Sequence, residues 1–170
     1  PWGDWFSLEE LEAALIEHKP AILAIVHAET STGVCQPMDG VGDLCRKHDC
    51  LLLLDTVTSL GGVPLYIDEW KVDLAYSCSQ KGLSCPPGLG PFTMGPRAEA
   101  KMEARTGKVP NWYLDVSLLN KYWGSDRVYH HTAPVNMNFG MREALRLLAE
   151  EGVNQSWARH RQNAEALWNG

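Results

Sequence analysis

The stretch Leu51-Leu52-Leu53-Leu54-Asp55-Thr56-Val57-Thr58-Ser59-Leu60-Gly61-Gly62 decides the fold. The apolar run Cys50 to Leu54 is too short for a helix and lacks polar alternation, so it reads as a strand buried on both faces. A carboxylate at its carboxyl end, then small residues and paired glycines, marks a strand that stops at a turn. Similar runs flank it. Ala21 to Val26 reads as a buried strand before it, with Leu74 to Ser77 and Gly90 to Met94 as strands after it. Helical patterns fill the gaps. Ser7-Leu8-Glu9-Glu10 is a capping box, followed by Leu8, Leu11, Leu15 and Ile16 at helical spacing and a stop at Pro20. Pro37 to His48 reads as a helix with Met38, Val41, Leu44 and Cys45 on one face. Arg97 to Arg105 reads as an exposed helix, and Pro134 to Glu151 as a long amphipathic one with Gly152 at its end. A further helix begins at Val153. Strands alternating with helices predict an α/β fold, a mostly parallel sheet covered by helices.

The chain has 170 residues, 45% hydrophobic and 21% charged, the balance of an ordinary globular domain. It starts at Pro1 and stops inside a helical pattern, so both ends read as cut from a longer protein. A net charge of −6 without any basic stripe argues against nucleic-acid binding. No apolar run reaches membrane-spanning length. Five cysteines, odd in number and without a CxxC pair, suit reduced intracellular thiols, each expected to be a small buried hydrophobe.

In open α/β sheets, ligands collect beyond the carboxyl ends of strands. Three such ends carry polar residues here: His27 to Gly33, Asp55 to Ser59, and Ser77 to Gly82. Asp55 at the lip of a buried strand needs a partner, since an unpaired charge there is costly. A protonated pyridine nitrogen would serve. The competing reading is an Asp that caps its own turn. Lys81 ends the next strand in a loop of small residues, where desolvation would free its amine to attack an aldehyde. Asp55 and Lys81 lie 26 residues apart, the length of one strand–crossover–strand unit, which would bring both to one crevice. Ser79 and Gln80 offer donors for a phosphate beside the lysine, and Thr30, Ser31 and Thr32 offer hydroxyls across the cleft. Together these groups suit pyridoxal 5'-phosphate.

Leu51 to Gly62 with Ser77-Cys78-Ser79-Gln80-Lys81-Gly82 resembles the class V aminotransferases, in particular their alanine–glyoxylate and serine–pyruvate group. The resemblance extends over His27 to Pro37, Pro86-Pro87-Gly88, Trp123-Gly124 and Tyr129-His130-His131-Thr132-Ala133-Pro134. It implies the fold type I architecture of pyridoxal-phosphate enzymes. Residues 1–152 would be part of the large cofactor-binding domain, and 153–170 the start of a linker helix toward a C-terminal small domain. It further implies that Lys81 is the Schiff-base lysine and Asp55 the partner of the ring nitrogen. Val57 would pack on one face of the ring, Thr30 would lie beside the cofactor, and Gln80 would bind the phosphate. Tyr129 and Thr132 would reach the neighbouring site of a homodimer. The substrates would be an amino acid, alanine or serine, and a 2-oxo acid, glyoxylate or pyruvate. The aromatic residue on the other ring face and the arginine for the substrate carboxylate would lie outside this segment, leaving the segment inactive by itself. Relatives occupy peroxisomes, mitochondria and the cytosol.

Rival readings follow from the same residues. A lyase or cysteine desulfurase of this fold is disfavoured, because desulfurases place His before the lysine and Gln80 stands here. A truncated fragment that only folds or dimerises is the rival outside enzymes. A nucleotide-dependent dehydrogenase is disfavoured, since no GxGxxG follows the first strand. His130-His131 is read as no metal site, adjacent side chains being expected to diverge. Trp112, Tyr113, Tyr122 and Trp123 cluster before this loop, for core or for dimer packing.

Overall fold

The computed structural model describes residues 2–170. Ten elements follow in chain order: α1 Leu8–His18, β1 Ile22–Val26, α2 Val41–Lys47, β2 Leu51–Asp55, β3 Leu74–Tyr76, β4 Phe92–Met94, α3 Pro96–Glu103, α4 Val116–Trp123, α5 Val135–Glu151 and α6 Val153–Trp168. The capping box forms as read: Glu10 N–H donates to Ser7 Oγ at 3.2 Å, and Ser7 N–H donates to the Glu10 carboxylate at 2.8 Å. α1 ends with Lys19 in the left-handed region at φ 45°, one residue before Pro20.

The four strands form one sheet in the order β1-β2-β3-β4, with β1, β2 and β3 parallel and β4 antiparallel to β3. The register aligns Val26 with Asp55 and Asp55 with Tyr76, so three carboxyl ends share one edge. α1 and α2 bury Leu11, Leu15, Val41 and Cys45 in a core with Met38, Cys50, Leu52 and Leu54. Burial of this apolar surface, at about 25 cal/mol per Å², is the main force holding the helices on the sheet.

Several expectations change. β1 is buried only in part: Ile25 sits in the core with Leu23 packed against it, but Ile22 and Val26 are exposed. The helix expected from Pro37 begins only at Val41, because Gly40 takes φ 84° at its cap. Met38 reaches the core all the same. α3 is largely exposed, as read, with Ala98 buried. Its Arg97 donates to buried Asp73 at 2.8 Å and to the Cys50 carbonyl at 3.2 Å, while Leu52 N–H also donates to Asp73. α4, capped by Asp115 through the Ser117 N–H, was not foreseen. Of the five free cysteines, Cys45, Cys50 and Cys85 are buried, but Cys35 is exposed. Burial pushes the Cys45 thiol up to about 12.

α6 packs back onto the loop after β2. The Ser156 hydroxyl, fully buried, donates to the Gly61 carbonyl at 2.7 Å. Trp157 meets Tyr66 edge to face, with centroids 5.7 Å apart. Among the described residues, no helix is long and apolar enough to cross a membrane.

Candidate functional site

Asp55 closes β2 with its carboxylate half-buried at the sheet edge. Val57 N–H donates to Asp55 Oδ1 at 2.8 Å, and the Tyr76 hydroxyl donates to Oδ2. The turn-capping reading is thus realised, and Tyr76 supplies a second partner. The bond to Asp55 raises the Tyr76 phenol above its ordinary range, since ionising it beside a carboxylate is unfavourable. Tyr76 was missed as a site residue. The strand pairing that faces it toward Asp55 is long-range, and neither motif contains it.

Lys81 reaches this edge by backbone packing. A Cβ on Gly82 would lie 2.3 Å from the Leu60 carbonyl oxygen, and one on Gly61, at φ 86°, would lie 2.8 Å from the Gly82 carbonyl. Only hydrogen at both positions lets the lysine loop sit on the turn that follows Asp55. Lys81 is exposed on the wall of a cavity of about 920 Å³ that it shares with Thr30, Cys35, Thr58, Trp157 and His160. The structure therefore brings Lys81 and Thr30 to one cavity across the sheet edge. Thr58 anchors the facing loop by donating to the Ala28 carbonyl.

Ser79 departs from its expected part. Its hydroxyl is fully buried, donates to the Pro86 carbonyl at 2.7 Å and accepts from Leu89 N–H at 3.3 Å. With both capacities used inside the loop, it holds the lysine loop in shape and faces no phosphate. Gln80, next to it, is exposed. Ser31 is likewise turned away, its hydroxyl and N–H both donating to Glu29 at 2.8 Å.

His27 is buried edge-on to Trp70 at 5.1 Å, with Nδ1 unpartnered and Nε2 3.7 Å from the Cys35 sulfur. Burial lowers its basicity. The Tyr129 and Thr132 hydroxyls lie 2.9 Å apart on an exposed loop. Between them, His130 and His131 do not diverge as expected: their Nδ1 atoms are 2.8 Å apart. A hydrogen bond between the rings, unreadable from residue order, overrides the divergence of adjacent side chains. Among the described residues, no group of three or more His, Cys, Asp or Glu could hold a metal ion.

The family model for class-V aminotransferases matches residues 4–170. An alanine–glyoxylate aminotransferase of Oryctolagus cuniculus is 47% identical over 169 residues, covering 98% of this chain and 43% of that protein. A (S)-ureidoglycine–glyoxylate transaminase of Bacillus subtilis is 38% identical, covering 98% of this chain and 44% of that protein. The crystal structure of an alanine–glyoxylate aminotransferase from Nostoc sp. superposes with a TM-score of 0.98 at 65% identity, covering 99% of this chain and 45% of that one. The chain thus spans a little under half the length of these relatives, and its sheet and helices are part of their fold. By fold and by sequence across nearly all its length, it belongs to the class-V aminotransferase family.

Proposed function

We propose that this chain supplies the lysine and the ring-nitrogen partner of a pyridoxal 5'-phosphate site. The whole protein would transfer an amino group from alanine or serine to glyoxylate or pyruvate. One observation carries the reading: the packing of Gly82 on Leu60 and Gly61 sets the Lys81 loop on the turn of Asp55, with Lys81 and Thr30 on one cavity wall. A cavity of about 920 Å³ is in the size range of cofactor pockets, about 300–1,000 Å³. Its wall offers the Lys81 amine and the Thr30 hydroxyl, two of the groups that pyridoxal phosphate needs. Glyoxylate stands in the names of the rabbit, Bacillus and Nostoc relatives, whereas the amino donors differ, so the acceptor is the better supported substrate.

When bound, the cofactor supplies an electron sink for the substrate's α-carbon. Asp55, fixed by Val57 N–H and the Tyr76 hydroxyl, would keep the ring nitrogen protonated. Lys81 Nζ would hold the cofactor through its aldehyde group, and as a free amine it would carry the proton that leaves the substrate's α-carbon. Val57 would pack on the ring, Thr30 would hydrogen-bond beside it, and Gln80 would bind the phosphate. Tyr129 and Thr132 would bind the phosphate of the partner subunit in a homodimer, which the exposed Trp112, Tyr113 and Trp123 around their loop support. Residues 1–152 would be part of the cofactor-binding domain and 153–170 the first turns of the connection to a second one.

The test is borohydride reduction of the full-length protein loaded with cofactor, followed by peptide mass mapping. The tag is expected on the peptide containing Lys81, and a tag on any other lysine overturns the assignment. Production of pyruvate from L-alanine, dependent on glyoxylate, then tests the substrate pair.

A further inference from the structure

We propose that Thr56 and Thr58 are positioning residues: their hydroxyls suspend the turn after Asp55 between the two neighbouring strands, and so hold Val57 and the Asp55 carboxylate in place for the cofactor ring. The inference rests on the reading of Asp55 and Val57 as residues that meet that ring. Along β2 the backbone donors alternate in direction, as in any strand paired on both sides. Leu51 N–H donates to the Ala21 carbonyl on the β1 side, and Thr56 N–H donates to the Tyr76 carbonyl on the β3 side, both at 2.9 Å. By this alternation Val57 N–H is due to face the segment that follows β1. It is turned instead onto Asp55 Oδ1 at 2.8 Å. Orienting the carboxylate therefore takes a backbone bond away from the β1 side of the turn.

Thr58 restores a tie on that side. Its hydroxyl donates to the carbonyl of Ala28, the residue after His27, whose own N–H donates to the Asp55 carbonyl at 3.0 Å. On the β3 side, the Thr56 hydroxyl adds a second bond to the Tyr76 carbonyl at 2.8 Å, and the Ser77 hydroxyl donates back to the Thr56 carbonyl at 3.0 Å. Thr56 and Ser77 are both buried, so water does not compete for these bonds.

Val57, between the two threonines, is thus tied on either side while its N–H stays on Asp55. Each tie also reaches a second group of the site. Tyr76, whose carbonyl takes the Thr56 bond, is the residue whose phenol donates to Asp55 Oδ2. Ala28 lies two residues before Thr30, which shares the cavity wall with Thr58 and Lys81. Without the Thr58 hydroxyl, the Ala28 carbonyl loses its donor. An unmet carbonyl on that side favours the return of Val57 N–H to the ladder, at the expense of Asp55.

The full-length protein tests this through its affinity for pyridoxal phosphate and through the visible circular dichroism of the bound cofactor, which reads how the ring is held. Thr56→Val and Thr58→Val keep the side-chain shape but lose the donor, whereas Thr56→Ser and Thr58→Ser keep the donor. Each Val variant is expected to bind pyridoxal phosphate about tenfold more weakly, the worth of one hydrogen bond, and to show a weaker dichroic band. Each Ser variant should restore both. Val variants with wild-type affinity and wild-type dichroism overturn the inference, whatever their melting temperatures, and so do Ser variants as impaired as the Val ones. Should Thr56→Val fail to fold, Thr58→Val carries the test alone, since Thr58 is only half-buried on the cavity wall. Borohydride tagging of the wild type separates the two levels. If Lys81 is not tagged, the cofactor reading falls and takes the inference with it; if Lys81 is tagged and the Val variants are unaffected, the inference falls alone.

Discussion

The Tyr76 hydroxyl donates to Asp55 Oδ2 from the neighbouring strand, in register with it. A carboxylate already held by Val57 N–H thus has its second oxygen fixed as well. Removing the carboxylate charge is the severe change: Asp55→Asn should lower turnover of the full-length enzyme by about two to four powers of ten, as loss of an electrostatic partner does elsewhere. Tyr76→Phe removes only the orienting bond and should lower turnover by about tenfold or less. Steady-state kinetics of both variants check the order, and a Tyr76→Phe loss equal to that of Asp55→Asn would make the phenol more than a positioning residue.

The same bond has a consequence at high pH. Tyr76 has its folded-state value raised, so the stability it contributes is fully present below the ordinary tyrosine value of about 10 and is lost as pH rises through the higher folded value. Denaturant melts of wild type and Tyr76→Phe should therefore converge as pH climbs from about 9 to about 11. A gap that stays constant would show that the bond does not govern the phenol.

Much of this was legible beforehand because it is local. The capping box of α1 needs only Ser7 and Glu10 three residues apart, and β2 announces itself by four leucines before an aspartate. The seating of the Lys81 loop on the turn after Asp55 needs only one crossover and the glycines at 61 and 82. What stayed hidden depends on contacts distant in sequence or on which face a side chain takes. An apolar run reads alike at the centre and at the edge of a sheet, so β1 read as buried. Ser79 and Gln80 are chemically similar donors, yet the turn sends one inward to Pro86 and leaves the other exposed. The docking of α6 brings the Ser156 hydroxyl to a carbonyl 95 residues away and Trp157 against Tyr66.

The buried ion pair of Asp73 and Arg97 ties α3 to the start of β2 and β3. Asp73 is 3% exposed and accepts from both Arg97 and Leu52 N–H. Arg97→Leu leaves a buried carboxylate with one donor and should cost about 3 kcal/mol in urea unfolding. Adding Asp73→Asn to that variant removes the orphaned charge and should recover part of the loss, because the penalty is chiefly the unpaired carboxylate.

His27 sets an acid limit. Burial lowers its folded-state value below about 6.5, so the stability it contributes is present above that pH and is lost as pH falls through the lower folded value. His27→Gln should make stability less dependent on pH between about 7 and about 5, even if it is lower throughout through lost contact with Trp70. An equally steep acid loss in the variant would assign the effect to another group.

Gly82 is where fold and chemistry meet most tightly. The hydrogen that replaces a side chain there lets the Leu60 carbonyl approach to a distance no Cβ tolerates, and the obstructing atoms are backbone. Gly82→Ala must therefore move the lysine loop, the turn after Asp55, or both, at a cost of about 2 kcal/mol. Movement of this kind should also lower the fraction of Lys81 tagged by borohydride reduction, at cofactor concentrations that saturate the wild type. Gly107→Ala is the control, since a Cβ there would meet nothing within 4 Å. It should leave both stability and tagging unchanged. A Gly82→Ala protein that is less stable yet tagged as fully as the wild type would separate the packing of the loop from the placement of its lysine.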